Sequence, residues 1–317
     1  MDNFITDTAE RIFNDHAEDS GSLWSALEEN GLTRAWAPER LGGTGLELSD
    51  GYNLIRQSGK HAINTPFAET LMASFLLSTV DTKTPDGPIT ICTSMENNHV
   101  EAPFTHNAKF MLRLNAKTLE LCSLDNTDEN HTSKIGSSDL KVEQSIAAPA
   151  WITADVFMQF GALVRTAQLC GAMEKQLELT LEHTRTREQF GRPLTKFQAV
   201  QHLLSDMAGE LASSTAALTA ATHSVSLDTA PDFMAIASAK IRASEAAEIV
   251  TKNAHQAHGA IGFTDEYALG QFSRRLWRWR DDFGNEHFWG KRLGEHIMRP
   301  DSNGLVADIF GETNAKC

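Results

Sequence analysis

Three long runs of apolar residues at helical spacing fill the second half of the chain, and they limit its fold more than any other feature. Phe160, Val164, Ala167, Cys170, Leu177 and Leu181 form one stripe; Phe197, Val200, Leu204, Met207, Leu211 and Leu218 form a second; Ile236, Ile241, Ile249 and Val250 lie on a third. An apolar stripe on a helix has to be covered by another element. Three of similar length cover one another when they lie side by side, so a helical bundle is expected with all three stripes in its core.

The first two stripes are joined by Arg185-Thr186-Arg187-Glu188-Gln189-Phe190-Gly191-Arg192-Pro193-Leu194-Thr195-Lys196-Phe197-Gln198. Arg185 and Arg187 end one helical pattern, with His183 before them and Arg192 after, and Phe190-Gly191 makes a turn. A guanidinium fork matches phosphate oxygens in pairs and keeps its charge, which suits a pyrophosphate or nucleotide. Cations at a helix C-terminus also serve as plain caps of the macrodipole.

The first part of the chain reads differently. From Phe4 to about Thr79 the apolar spacing is helical, broken by Pro38-Glu39-Arg40-Leu41-Gly42-Gly43-Thr44-Gly45, a turn that needs positive φ or close backbone approach. Between Pro85 and about Ala148 short runs at Pro88 to Cys92, Lys109 to Leu114 and Thr118 to Cys122 predict a small β module, with Asp125 to Ser138 as an exposed loop. The expected fold is mainly α with a small β module. Its expected units are an N-terminal helical domain over 1–84, a reduced β domain over 85–149 and a C-terminal bundle over 150–317.

Composition excludes several function classes. A formal charge of −14 argues against a nucleic-acid or anionic membrane partner, so any anionic ligand must be held by local cations. The four cysteines are scattered, without a C-x-x-C pair, which suggests neither a disulfide framework nor a zinc site and fits a reducing, cytoplasmic setting. The opening Met1 to Asp7 has no cationic or apolar leader character, and no apolar run is long enough to span a membrane.

Two further segments carry chemistry. Gln256-Ala257-His258-Gly259-Ala260-Ile261-Gly262-Phe263 ends the third stripe with glycines that let backbone approach a ligand. No strand precedes it, so a Rossmann reading fails. His255 and His258 lack a third ligand nearby, so no metal is expected. Arg274-Arg275-Leu276-Trp277-Arg278-Trp279-Arg280-Asp281-Asp282 interleaves arginine with tryptophan, and the aspartates that follow predict a salt-bridged helix end. A carboxylate there would be held ionised, as a charge partner rather than a base.

Taken together and in this order, the segments resemble the acyl-CoA dehydrogenase family. Arg187-Glu188-Gln189-Phe190-Gly191 with Phe197-Gln198 is similar to its Arg-x-x-Phe-Gly element, Gln256 to Phe263 to its Gln-x-x-Gly-Gly-x-Gly-Phe element, and Pro38-Glu39 with Gly42-Gly43 to its Pro-Glu-x-x-Gly-Gly turn. The resemblance implies an N-terminal helical domain, a middle β domain and a C-terminal four-helix bundle. It implies FAD as cofactor and α,β-dehydrogenation of an acyl-CoA. It also places Arg187, Phe190, Gln198, Gln256, Gly259 and Ala260 against the adenosine and pyrophosphate portion of a neighbouring subunit's FAD.

Two departures qualify it. The β module is short and lacks the segments that wrap the flavin ring; Trp151-Ile152-Thr153 resembles the family's Trp-Ile-Thr tripeptide but lies too close to Arg187 to be that strand. The family's Tyr-Glu-Gly base is also missing: Asp282 or Phe283 falls at that place, and Gly161 near the family's alternative location. Both features, with the Arg280-Asp281-Asp282-Phe283-Gly284 ending, resemble the short subunits that pair with longer acyl-CoA dehydrogenase chains as α2β2 heterotetramers in bacterial steroid degradation. The implied function is therefore the short subunit of a dehydrogenase for a bulky, steroid-type CoA thioester, with an electron-transferring flavoprotein as a candidate acceptor. Two alternatives stay open: a complete homo-oligomeric enzyme with Asp282 as base, and a cofactor-free assembly subunit.

Overall fold

In a computed structural model of the chain, the structure describes residues 2–16, 19–96, 99–124, 134–137, 140–264 and 267–299. The first segment folds into α1 (Asp2–Asp15), α2 (Ser20–Glu29), α3 (Leu48–Lys60) and α4 (Phe67–Ser78). Every residue of α4 is buried, which its nearly uniform apolar surface requires. The Pro38 to Gly45 turn uses both devices its glycines predict: Gly42 has φ 85°, and Gly43 backs directly onto the Ala37 carbonyl.

The middle segment forms two sheets. Strands β1 (Ile89–Ile91), β4 (Phe110–Asn115), β5 (Thr118–Ser123) and β7 (Lys141–Ala147) make one, in the order β1-β4-β5-β7, and β1 pairs parallel with β4. Strands β2 (Ser94–Glu96), β3 (His99–Glu101) and β6 (Lys134–Gly136) make the other. Alternation along β4 and β5 sends Leu112 and Leu121 to the main core and Met111 and Cys122 to a smaller core with Val100 and Ile135. The expected loop over Asp125 to Ser138 is corrected in part, because Lys134–Gly136 is strand β6. Antiparallel pairing with β3, Val100 opposite Ile135, makes a strand of a segment too short to show one by itself. Residues 125–133 and Ser138 lie outside the described residues.

The last segment forms α5 (Ala154–Thr186), α6 (Gln198–Thr222), α7 (Phe233–His258), α8 (Leu269–Asp281) and α9 (Glu286–Ile297). Helices α5 to α8 pack as a bundle and α9 lies on α7. Thr153 caps α5, its hydroxyl accepting from the Val156 amide at 3.2 Å, so the Trp-Ile-Thr tripeptide here starts a helix. The expectation that all three stripes are core needs correction: Leu177 and Leu181 on α5 and Ile241 and Ile249 on α7 are half-buried, and α6 departs furthest. Met207 and Leu218 are buried, but Val200, Leu204 and Leu211 are only half-covered, since α6 lies on the outside of the bundle with one flank unpacked.

Helices α3 and α5 cross at a pair of glycines. A Cβ on Gly171 would stand 1.9 Å from the Arg56 carbonyl oxygen, and one on Gly59 2.3 Å from that of Gln168. Backbone-to-backbone contact at this crossing fixes the N-terminal helices against the bundle and lets the main core run through both.

Candidate functional site

The joint between α5 and α6 is a minimal β-hairpin. Strands β8 (Glu188–Gln189) and β9 (Arg192–Pro193) pair with Glu188 opposite Pro193 and Gln189 opposite Arg192. Phe190 at φ 53° and Gly191 at φ 72° form its two-residue loop, the positive φ at both positions that a type I′ turn demands. The conformation suits Gly191 and strains Phe190, which costs on the order of 1 kcal/mol or more. Phe190 nonetheless stands 91% exposed, its ring meeting Phe197 edge-on at 6.3 Å between centroids, so little packing of its own ring repays that strain.

Beside this hairpin opens a cleft of about 490 Å³ between α5, the start of α6 and the end of α7. Its cationic wall is Arg187, with His183 one helical turn earlier; Phe190, Phe197 and Val200 face it from the hairpin and α6; Ala260 and Ile261 close it from the turn after α7. Arg187 has no carboxylate partner among the described residues.

The structure separates the expected cation cluster. Arg185 borders a different hollow with Glu178, Leu181 and Glu182, because two residues are half a helical turn and point to opposite flanks. Arg192 lies over the Phe197 ring at 4.2 Å. Of the residues singled out from the sequence, Arg187, Phe190 and Ala260 line the cleft together. Gln198 at the start of α6, Gln256 near the end of α7 and Gly259 are exposed and stand outside the lining. Gly259 ends α7 with φ 64°, a conformation that turns the chain back to present Ala260 and Ile261.

Histidines supply what sequence reasoning missed here. The rings of His183 and His258 stack with centroids 4.5 Å apart. His258 Nδ1 donates to the Ala254 carbonyl at 2.7 Å, and its Nε2 sits 3.0 Å from the Tyr267 hydroxyl. His255 Nε2 is 2.8 Å from Ser273 Oγ, so the two histidines on α7 turn to different partners. Among the described residues there is no group of three His, Cys, Asp or Glu that would hold a metal ion.

A second constellation surrounds Asp282. Arg165, fully buried in α5, donates from Nε to Asp282 at 2.9 Å and lies 2.7 Å from Glu69, itself 2% exposed. Burial opposes the Arg165 charge, and the two carboxylates more than offset it, holding its pKa above the ordinary value. Phe283 packs into the notch left by Gly161, where a Cβ would meet its ring at 2.2 Å. Trp289 Nε1 donates to the Phe283 carbonyl at 2.9 Å, and buried Lys240 donates to the carbonyls of Trp279 at 2.6 Å and Arg280 at 2.9 Å. The two positions that the family comparison sets against each other, Gly161 and Asp282-Phe283, thus meet in a closed contact. The expected salt-bridged helix end exists with other partners: Arg280 pairs with Glu286 and Glu248 rather than with Asp281 or Asp282. The hydrogen bond from Arg280 lowers the Glu286 pKa against the effect of burial. Arg165 had one sequence signal, as the lone charge between Val156 and Met173.

The fold defines a class, a helical bundle preceded by a small β unit and an N-terminal helical segment. Residues 151–279 match the family model described as acyl-CoA dehydrogenase, C-terminal domain. The chain is 28% identical over 268 residues to acyl-CoA dehydrogenase IpdE2 of Mycolicibacterium smegmatis, covering 80% of this chain and 81% of that one. Its fold is similar to the Tcur3481-Tcur3483 steroid ACAD G363A variant, with a TM-score of 0.79 at 22% identity over 93% of this chain and 97% of that one. It is similar as well to the ChsE4-ChsE5 complex from Mycobacterium tuberculosis, with a TM-score of 0.76 at 19% identity over 95% and 98%. Over residues 151–279 the chain carries an acyl-CoA dehydrogenase C-terminal domain. Among the described residues no helix is long and apolar enough to cross a membrane.

Proposed function

We propose that this chain is the short subunit of a heteromeric, FAD-dependent acyl-CoA dehydrogenase, cytoplasmic and α2β2 in form. The observation that carries the reading is an asymmetry. One end of the bundle presents an open cleft with Arg187, which has no carboxylate partner among the described residues, and a fully projecting Phe190, while Asp282 is tied inward to Arg165. A residue such as Phe190, strained and solvent-facing in the lone chain, fits a role against a neighbouring subunit.

The residues present fit the distal half of FAD. Arg187 would hold the pyrophosphate by charge-assisted hydrogen bonds, Phe190 would cover it from the hairpin, and Gly259 with Ala260 would allow close backbone approach. Gln198 and Gln256, exposed beside the cleft, would reach the same group on the partner. Bound FAD supplies the two-electron acceptor for α,β-dehydrogenation. The general base belongs to the longer subunit in this reading. The acyl group is bulky and steroid-derived, a choice supported by the related steroid ACAD and ChsE4-ChsE5 assemblies, and an electron-transferring flavoprotein takes the electrons onward.

Purification with and without the longer subunit tests the reading. FAD is expected in the complex and absent from the lone chain; stoichiometric FAD and acyl-CoA oxidation by the lone chain would overturn it. In the complex, Arg187→Ala is expected to weaken FAD retention by about 1.5–3 kcal/mol. Asp282→Asn separates this reading from a complete enzyme with Asp282 as base, since the partner-base reading expects turnover to persist. A complex without flavin absorbance would point to the assembly-subunit alternative.

A further inference from the structure

Two stacked imidazoles, His183 and His258, line the cleft beside Arg187. His183 and Arg187 are one helical turn apart on α5, joined by the hydrogen bond from the Arg187 amide to the His183 carbonyl at 2.9 Å, and both line the same cleft. His258 is fully committed beneath them. Its Nδ1 must carry the proton it gives to Ala254, so in the neutral ring Nε2 accepts from Tyr267. His183 covers the face of that ring and is half-buried, yet its own nitrogens hold no hydrogen bond among the described residues.

We infer that His183, carried on His258, is a second ligand-contacting residue of the cleft, donating from its ring to the diphosphate that Arg187 pairs. This rests on the proposed reading of the cleft as the wall for a neighbouring subunit's FAD. Arg187 supplies a permanent charge there, and His183 supplies a titratable one. The groups facing His183 decide its state. Glu182 and Arg187 flank it on α5, His258 faces it from α7 with His255 acting on His258 in turn, Tyr267 lies before α8, and Leu194 and Phe197 from the turn before α6 and Val200 from α6 line the same cleft. Burial first, and Arg187 second, hold the His183 pKa below the usual imidazole range; burial does the same for His258. The resting pair is therefore neutral near pH 7, and one proton on either ring disfavours a second.

A bound diphosphate reverses the balance, because its negative charge neutralises Arg187 and favours imidazolium at His183. Ligand binding then takes up a proton. By linkage, affinity rises as pH falls from the bound-state to the free-state pKa of His183, by at most about tenfold per pH unit.

The test is FAD affinity, not turnover, measured by flavin fluorescence on the assembled complex between about pH 5.5 and about pH 8.5. Wild type is expected to hold FAD several-fold more tightly at the acid end. His183→Phe keeps a ring stacked on His258 and is expected to flatten this dependence. His183→Gln keeps a neutral donor and is expected to flatten it with a smaller loss of affinity. A folded His183→Phe or His183→Gln complex with the wild-type pH slope and affinity would overturn the inference. Arg187→Ala distinguishes the two levels. If it weakens FAD while the His183 variants change nothing, only the role of His183 falls; if Arg187→Ala also changes nothing, the reading of the cleft falls with it.

Discussion

At the scale of single residues, Arg165 carries the most consequence for stability. Replacing it with methionine would leave buried Glu69 and half-buried Asp282 without their shared cation, and a cost of about 3–5 kcal/mol is expected in urea unfolding. Asp282→Ala removes only one of two carboxylates, and that one is nearer the surface, so a smaller loss of about 1.5–3 kcal/mol is expected. The ordering of these two values is the informative outcome. Equal costs would mean that Glu69 contributes nothing to the cluster. The same arrangement explains why Asp282 looks like a displaced base in the sequence and like a charge partner in the structure: its nearest cation, Arg165, lies more than a hundred residues away in the chain.

At the scale of elements, two features invite measurement. The α3–α5 crossing has no room for a side chain, so Gly171→Ala must push backbone apart, and a loss of about 1–3 kcal/mol is expected from overpacking. An unchanged melting temperature would show that the helices slide freely past each other. The C-terminus of α8 depends on Lys240, whose pKa burial draws from 10.5 down to about 7. A base with a depressed folded-state pKa binds fewer protons folded than unfolded in the interval between those values. Stability should therefore rise as pH increases from about 7 toward 10.5. Lys240→Met should remove that component of the slope, as followed by chemical denaturation at several pH values.

At the scale of the whole molecule, one continuous core links α1 through α9 with the inner face of the four-stranded sheet. The helical units are expected to unfold together, with calorimetric and van't Hoff enthalpies equal; two resolved transitions would contradict a shared core. Because α6 keeps a half-covered apolar flank and Phe190 projects fully, assembly with the proposed longer subunit should raise the melting temperature in a concentration-dependent way.

The bundle and the turn that joins its first two helices were legible in the sequence because local signals state them: the 3.6-residue spacing of Phe160 to Leu181, and Phe-Gly between the two helical patterns; that the turn is a β-hairpin was not. Arg187 and Phe190 were singled out through the resemblance of their segment to the family's Arg-x-x-Phe-Gly element, since spacing alone fitted a helix cap equally well. Strand β6, the outer placement of α6 and the separation of Arg185 from Arg187 were not, because each depends on which neighbour happens to pack against a flank. The buried ion cluster and the stacked histidines belong to that second kind. Local sequence sets the helices, the turn chemistry and the residues available at each end. Only the tertiary structure decided that Asp282 faces Arg165 and that His183 stands on His258, because such contacts join segments whose meeting is set by the packing of whole helices and by no local preference.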